Sequence, residues 1–260
     1  MKERAIDSPT AISPPGGHPH AGGPHVEIAR RPKRVAILQS NYIPWKGYFD
    51  VINMVDEFIL FDDMQYTRRD WRNRNKIKTK DGLQWLTIPV EVKGKYHQRI
   101  RDTVVSDTNW NVTHWRTIAH SYVRAPGFAE FREPLEELYR TTRERFLSLI
   151  NYRFLTVLCA LLSIPTRITW SSDYLITSGK TDRLVDLCKQ AGAGEYLTGP
   201  AAGAYLDESL FAREGIRLIY MDYSKYLEYP QLYPPFEHGV SIVDLLLNVG
   251  REARRYLKSA

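Results

Sequence analysis

The chain has 260 residues, 43% of them hydrophobic, with a formal net charge of +6 and two cysteines. That length builds a core without covalent staples, and two cysteines exclude a disulfide framework or a Cys-rich metal site. No apolar run approaches the roughly 18 residues of a membrane span, and the first residues lack a signal-like apolar core. The expectation is therefore a soluble cytoplasmic protein with no membrane contact.

Charge is unevenly spread. Residues 1–34 contribute +3 and residues 68–81 contribute +5, leaving −2 for everything else. A general nucleic-acid-binding surface is not indicated. Residues 1–33 are rich in Pro, Gly, His and Ala and present no periodic apolar face. They read as a disordered tail ahead of a single domain over residues 34–260. His18, His20 and His25 in that tail read as solvated rather than metal-binding.

Val35-Ala36-Ile37-Leu38 reads as a buried strand, followed by a loop over 39–46 and a helix over 48–55. Phe58-Ile59-Leu60-Phe61 is a second strand, ending in Asp62-Asp63. This βαβ order predicts two parallel strands. Ligands of such sheets bind at the carboxyl ends of the strands, so residues 39–45 and 62–66 should border a site. Residues 85–90 read as a strand with Pro89 marking an edge. Helices are expected over 109–125 and 133–163, the second opened by Pro134, broken near Asn151 and ended by Pro165.

The βα rhythm then returns. Strands are expected at 167–170, 195–198 and 216–220, with helices over 180–190 and 207–213. Thr177 or Ser178 would cap the first of these helices, and Ser241 opens a C-terminal one. The fold class is α/β: a mostly parallel, Rossmann-like sheet of βα units with a helical insertion in the middle.

Four groups of residues carry chemical readings. Gln39, Asn41, Tyr42 and Trp45 place amides and aromatics in a βα loop, where they would stack on a ring and bond its edges; the alternative is a loop anchored by aromatic burial. Asp62 and Asp63 would repel each other, so one carboxyl could act as a base, or both could hold Mg²⁺; the alternative is a cap with ion pairs to nearby arginines. If residues 72–80 are extended, Arg72, Arg74, Lys76, Lys78 and Lys80 share one face and Asn73, Asn75, Ile77 and Thr79 the other. Such a face suits a phosphate-bearing partner, or else is a solvated edge that prevents aggregation.

The fourth group is Ser178-Gly179-Lys180-Thr181, which lacks the earlier glycine of a phosphate loop because Tyr174 stands there. A helix start bearing Lys180, Thr181 and Arg183 remains as an anion site. Cys188 reads as a buried thiol. His114, beside Trp110 and Trp115 on a helix, is a candidate base or a packed core histidine, and His120 a weaker one. Gln65 and Gly199 complete the candidate substrate-binding residues. The motifs of common hydrolases, zinc proteases and dinucleotide-binding folds are absent.

Several strings together resemble the WbqC-like protein family: residues 38–49, Asp62-Asp63-Met64-Gln65-Tyr66, and residues 71–77. The likeness continues in Thr181-Asp182-Arg183-Leu184, Tyr196-Leu197-Thr198-Gly199 and residues 241–245, so that it spans about residues 35–257. The resemblance implies an accessory enzyme of surface-polysaccharide (O-antigen) or natural-product biosynthesis, with glycine or another aminoacyl group as cargo. Gln39-Ser40 stands where the family pattern has Gln-Pro. The family supplies no catalytic residues to carry over.

The leading expectation is acyl transfer to an amine or hydroxyl of a sugar or small metabolite. Asp63 or His114 would take the acceptor proton, and Asn73 or a backbone N–H would hold the oxyanion. The donor would be phosphorylated: a carrier-protein arm, an aminoacyl-tRNA or a nucleotide sugar. An adenylate-forming or nucleotidyltransferase-like enzyme using ATP and Mg²⁺ is the second reading, although Trp45-Lys46-Gly47-Tyr48 stands where its His-x-Gly-His motif would be. A non-catalytic binder of RNA or a carrier protein is the third. No metal site is assigned.

Overall fold

The computed structural model describes residues 31–176 and 179–260. His18, His20 and His25, with the expected tail up to residue 30, lie outside the described residues, as do the expected caps Thr177 and Ser178. Residues Pro32–Ala260 form one compact unit.

The alternation in β1 (Arg34–Leu38) decides the layering. Val35 and Ile37 face one core with Leu187, Cys188 and Phe211, while Ala36 joins the larger core on the opposite side of the sheet. α1 (Lys46–Asn53) leads to β2 (Glu57–Leu60), which runs parallel to β1 as the pattern predicts.

The next two strands leave the sheet. β3 (Arg74–Thr79) and β4 (Gly82–Thr87) form a separate antiparallel hairpin. β4 therefore starts three residues before the expected strand at 85–90, and pairs with β3 alone. Gly82 closes the two-residue turn at φ +105°, a conformation glycine takes without strain. Ile77, Leu86 and Ile88 are buried on the inner side of the hairpin.

Three helices follow: α2 (Trp110–Tyr122), α3 (Phe128–Thr141) and α4 (Leu147–Leu161). Two features depart from the local pattern. Pro134 lies inside α3 rather than in a first turn, because Phe128, Phe131, Leu135 and Leu138 keep helical spacing on both sides of it and all are buried. The break falls at residues 142–146, not near Asn151, because Arg145 and Leu147 are drawn into backbone bonds with Val105 and Thr103 at 2.8 Å each. The segment between β2 and β5 (Arg167–Trp170) thus holds a hairpin as well as helices.

The remaining elements are α5 (Asp182–Gln190), β6 (Glu195–Thr198), α6 (Glu208–Arg213), β7 (Arg217–Tyr220) and α7 (Ile242–Val249). The five-stranded sheet has the order β5-β2-β1-β6-β7, and every neighbouring pair is parallel. The chain builds outward one way from β1 and then the other, so the order reverses between β1 and β6. Gln39, Phe61, Ser171 and Gly199 follow strands at one common edge. Among the described residues no helix is long and apolar enough to cross a membrane.

Candidate functional site

The loop after β1 is the organising element of that edge, and it is pinned from several sides. The Ser40 N–H donates to Asp62 Oδ1 at 2.8 Å, and Asn151 Nδ2 donates to Ser40 Oγ and to the Arg72 carbonyl, each at 2.9 Å. Asn75 Nδ2 donates to the carbonyls of Tyr42 (3.1 Å) and Ile43 (3.0 Å), and the Ile242 N–H donates to the Pro44 carbonyl at 2.8 Å. Ile43 is held at φ +36°, a costly conformation for a β-branched residue that this surrounding cage stabilises.

Two clefts flank the loop. The first, of about 320 Å³, is lined by Asn41, Pro44, Trp45, Trp71, Asn75 and His238, with Gly239 beside them. Arg72 donates to Asn41 Oδ1. Lys76 stands over two indoles, 6.0 Å from the Trp71 ring centre and 5.6 Å from that of Trp85. The Arg74 guanidinium lies 3.5 Å from the Trp85 ring centre. Among the described residues neither Arg74 nor Lys76 has a carboxylate within ion-pair distance.

His238 packs edge-on against Phe236, at 4.6 Å between ring centres. Burial holds its pKa below the ordinary histidine value and the Lys46 charge pushes the same way, against Glu228 and Glu237. Lys46 itself is buried, donates to the Leu227 carbonyl at 2.6 Å, and lies between the rings of Tyr226 and Tyr229. Burial lowers its pKa to about 8, against the attraction of Asp50 and Glu228.

The second cleft, of about 300 Å³, is lined by Asp62, Asp63, Arg101, Ser148, Trp170 and Ser171. The carboxylates diverge, as consecutive residues do. Asp62 is buried and accepts from the Ser40 N–H and the Ser148 hydroxyl. Burial raises its pKa, with those hydrogen bonds and Arg72 opposing the shift. Asp63 accepts from Arg101 Nη1 at 2.8 Å and from the Ser171 hydroxyl at 2.6 Å. Among the described residues no group of three His, Cys, Asp or Glu side chains gathers as a metal site, so an ion shared by this pair has no third ligand of those types.

Several sequence-predicted residues stand away from both clefts. His114 and Tyr42 are core residues: His114 Nδ1 lies 2.9 Å from the Tyr42 hydroxyl and Nε2 lies 3.2 Å from the Thr87 carbonyl. The Tyr42 hydroxyl also meets that of Tyr139 at 2.7 Å. Burial drops the His114 pKa to about 4. Both ring nitrogens are engaged inside the core, which removes the geometric basis for a base role. Asn73 is likewise buried, donating to the Ile88 carbonyl at 2.8 Å, and lines neither cleft.

The five-cation face is smaller than its alternation predicts. Lys78 is buried and donates to Gln231 Oε1 at 2.9 Å, because the loop after β7 covers that end of the hairpin. Gln39 lends its carbonyl to the Tyr48 hydroxyl at 2.8 Å. Gln65 donates to the Tyr96 carbonyl at 2.8 Å in a separate depression. Arg183 reaches Met64 Sδ at 3.5 Å, and Thr181 Oγ1 accepts from the Asp207 N–H at 3.3 Å. Lys180 is exposed, and Gly199 borders Tyr223. None of these six lines either cleft. Cys159 and Cys188 are buried free thiols, pushed up to about 12 by burial.

Sequence reasoning missed Pro44, Trp71, Asn75, His238 and Gly239 as cleft residues. Pro44, Trp71 and Asn75 stand inside quoted motifs, but nothing local distinguishes His238, which reaches the cleft from a loop almost two hundred residues after Asn41.

The strings that line the aromatic cleft also carry the likeness to known proteins. The profile of the WbqC-like protein family matches residues 39–256. A Mycobacterium tuberculosis protein, named only as uncharacterized protein Rv1507c, is 53% identical over 226 residues, covering 87% of this chain and 98% of the relative. No solved structure matches the chain. With the profile running from the Gln39 loop to the C-terminal helical region, and with a relative matched over nearly its whole length, this chain belongs to the WbqC-like protein family.

Proposed function

We propose that this protein is an acyltransferase that moves glycine or another aminoacyl group onto an amine or hydroxyl of a sugar or small metabolite. The reaction would take place in the aromatic cleft. The observation that carries the reading is convergence: Asn41 and Trp45, Trp71 and Asn75, and His238 come from three distant segments to line one cleft beside Arg72 and Lys76. Trp45 and Trp71 would stack on a ring of the substrate. The cations would hold phosphate on the donor and later the charge developing on the acyl oxygen.

Neutral His238 would take the proton of the attacking amine or hydroxyl as the new C–N or C–O bond forms, and return it to the leaving group as the old acyl bond breaks. It replaces His114 in that role, and Lys76 replaces Asn73 at the oxyanion. Asp62 and Asp63 would position the loop and the cleft wall. We place the protein in the cytoplasm, where two free thiols suit a reducing compartment.

The second reading is adenylate chemistry with ATP and Mg²⁺. It is favoured by the reversal of strand order beside β1, a Rossmann-like feature at which nucleotides bind. The two are separated by incubating the full chain with an amino sugar and, in turn, a glycyl-loaded carrier protein, a glycyl-tRNA, a coenzyme A thioester or ATP with glycine, and reading masses. A glycyl mass increment on the amino sugar from a loaded donor is the expected result. Release of AMP or pyrophosphate from ATP without an acylated product overturns acyl transfer in favour of the adenylate enzyme.

A further inference from the structure

The outer face of the β3–β4 hairpin has a composition that a small-molecule cleft does not need. Lys76 and Trp85 are direct cross-strand partners, and Arg74 pairs with Thr87 one step along the same face. Trp71 and Trp85 are 41% and 42% exposed, with ring centres 5.4 Å apart, and Leu83 beyond them is 44% exposed. Exposed indoles are expensive to leave in water unless something covers them.

Cations and rings alternate along this face. Arg74 and Lys76 are two residues apart on one strand, a spacing of about 7 Å. Both lack a carboxylate partner among the described residues, and Arg74 Nε is buried without a hydrogen-bond partner. Arg68, Arg69 and Lys80, in the same segment that carries +5 of the chain's charge, are exposed as well. A row of charges suits a polyanion better than a single phosphate. Flat rings between the charges suit the bases of an unpaired strand, which stack on aromatic side chains while cations follow the backbone. Trp71 belongs to both surfaces, so the platform runs into the aromatic cleft.

We infer that this outer hairpin face binds single-stranded RNA, stacking bases on Trp71 and Trp85 and pairing phosphates with Arg74 and Lys76, so that the strand's end enters the aromatic cleft. Taken with the proposed reaction, on which this last step rests, the acyl donor is an RNA carrying the aminoacyl group at its 3′ end. Duplex RNA would not fit, because its bases are not free to stack.

The test uses the full-length protein and an unloaded, fluorescently labelled single-stranded RNA of about 12 nucleotides, within the ~4–16 of known single-strand sites. Anisotropy would show binding that weakens with salt, with a log–log slope of about −1.4 or steeper from Arg74 and Lys76 alone. Trp85→Ala would weaken binding at least about fivefold, as loss of one stacked base does. Lys76→Gln would weaken it and flatten the slope by about 0.7. Circular dichroism would confirm that both variants fold.

Equal affinity of wild type and both variants would overturn the inference. So would equal affinity for duplex, or binding of free mononucleotides as tight as that of the polymer. Because no acceptor or acyl group is present, RNA binding without glycyl transfer would sink only the proposed reaction. Transfer from a small thioester without RNA binding would sink only this inference.

Discussion

The two clefts beside the Gln39 loop are of similar size and lie near the same edge of the sheet, yet the charged side chains at them are met differently. In the carboxylate cleft every charge is answered from within: Asp62 by Ser40 and Ser148, Asp63 by Arg101 and Ser171. In the aromatic cleft and on the hairpin beside it, Arg74 and Lys76 rest on indole faces with no carboxylate within ion-pair distance among the described residues, and burial and the Lys46 charge lower the pKa of His238. Position at a strand's carboxyl end therefore does not make a side chain a reagent. A group whose hydrogen bonds are already made holds the fold, and one whose capacity is unspent is available to a ligand.

The contrast is broken most directly by mutating one residue of each cleft. His238→Gln should lower turnover by roughly 100-fold or more, the usual scale for a lost base, and leave the melting temperature near wild type. Asp62→Asn should keep turnover within a few-fold, because Asn can still accept from the Ser40 N–H while the Ser148 hydroxyl turns to accept. Single-turnover rates of the two variants decide the matter: if Asp62→Asn is the dead one, the roles of the clefts are reversed.

Stability should respond in the opposite order. Asp62→Ala strands the Ser40 N–H and the Ser148 hydroxyl in the interior and should cost on the order of 2–5 kcal/mol in urea unfolding. Asp62→Asn should cost far less. His238→Ala, at a partly exposed site, should stay within about 1 kcal/mol.

The core histidine should also make stability depend on pH. The His114 pKa falls to about 4 in the folded protein, so between the ordinary value near 6.5 and about 4 the unfolded chain binds the extra proton. Stability should thus be fully present above about pH 6.5 and be lost as pH falls through that window, by about 3 kcal/mol in all. Urea titrations at several pH values would show this slope, and His114→Gln should flatten it.

Tyr42→Phe takes a single oxygen atom out of the core network. It removes the hydroxyl shared by His114 and Tyr139 and should cost about 1–3 kcal/mol, with catalysis retained once folding is restored by lower temperature. Loss of turnover in a stably folded Tyr42→Phe protein would return the core network to the active site.

Much of this protein can be read from local pattern. The unbroken apolar runs at 35–38 and 58–61, and the short segments 167–170 and 195–198 between helical patterns, coincide with strands of the parallel sheet. The βα order places residues 39–45 and 62–63 at the sheet's carboxyl edge, and the alternation from Arg72 onward correctly separates buried Asn73, Asn75 and Ile77 from Arg74 and Lys76. Period and propensity act over a few residues and suffice for these conclusions.

Exposure and partnership were decided by tertiary packing. The sequence alone determined that Tyr42, Trp45, His114, Lys78 and Asp62 stand near strand ends, in a helix or in a basic strand. Only the folded chain sent Tyr42 and His114 into a core beneath Trp110, covered Lys78 with the loop bearing Gln231, and turned Asp62 and Asp63 to different partners. It alone brought His238 against Trp45, Trp71 and Asn75. The physical reason is that a side chain's chemistry depends on how much water and which partners reach it, and those are supplied by segments far away in the chain.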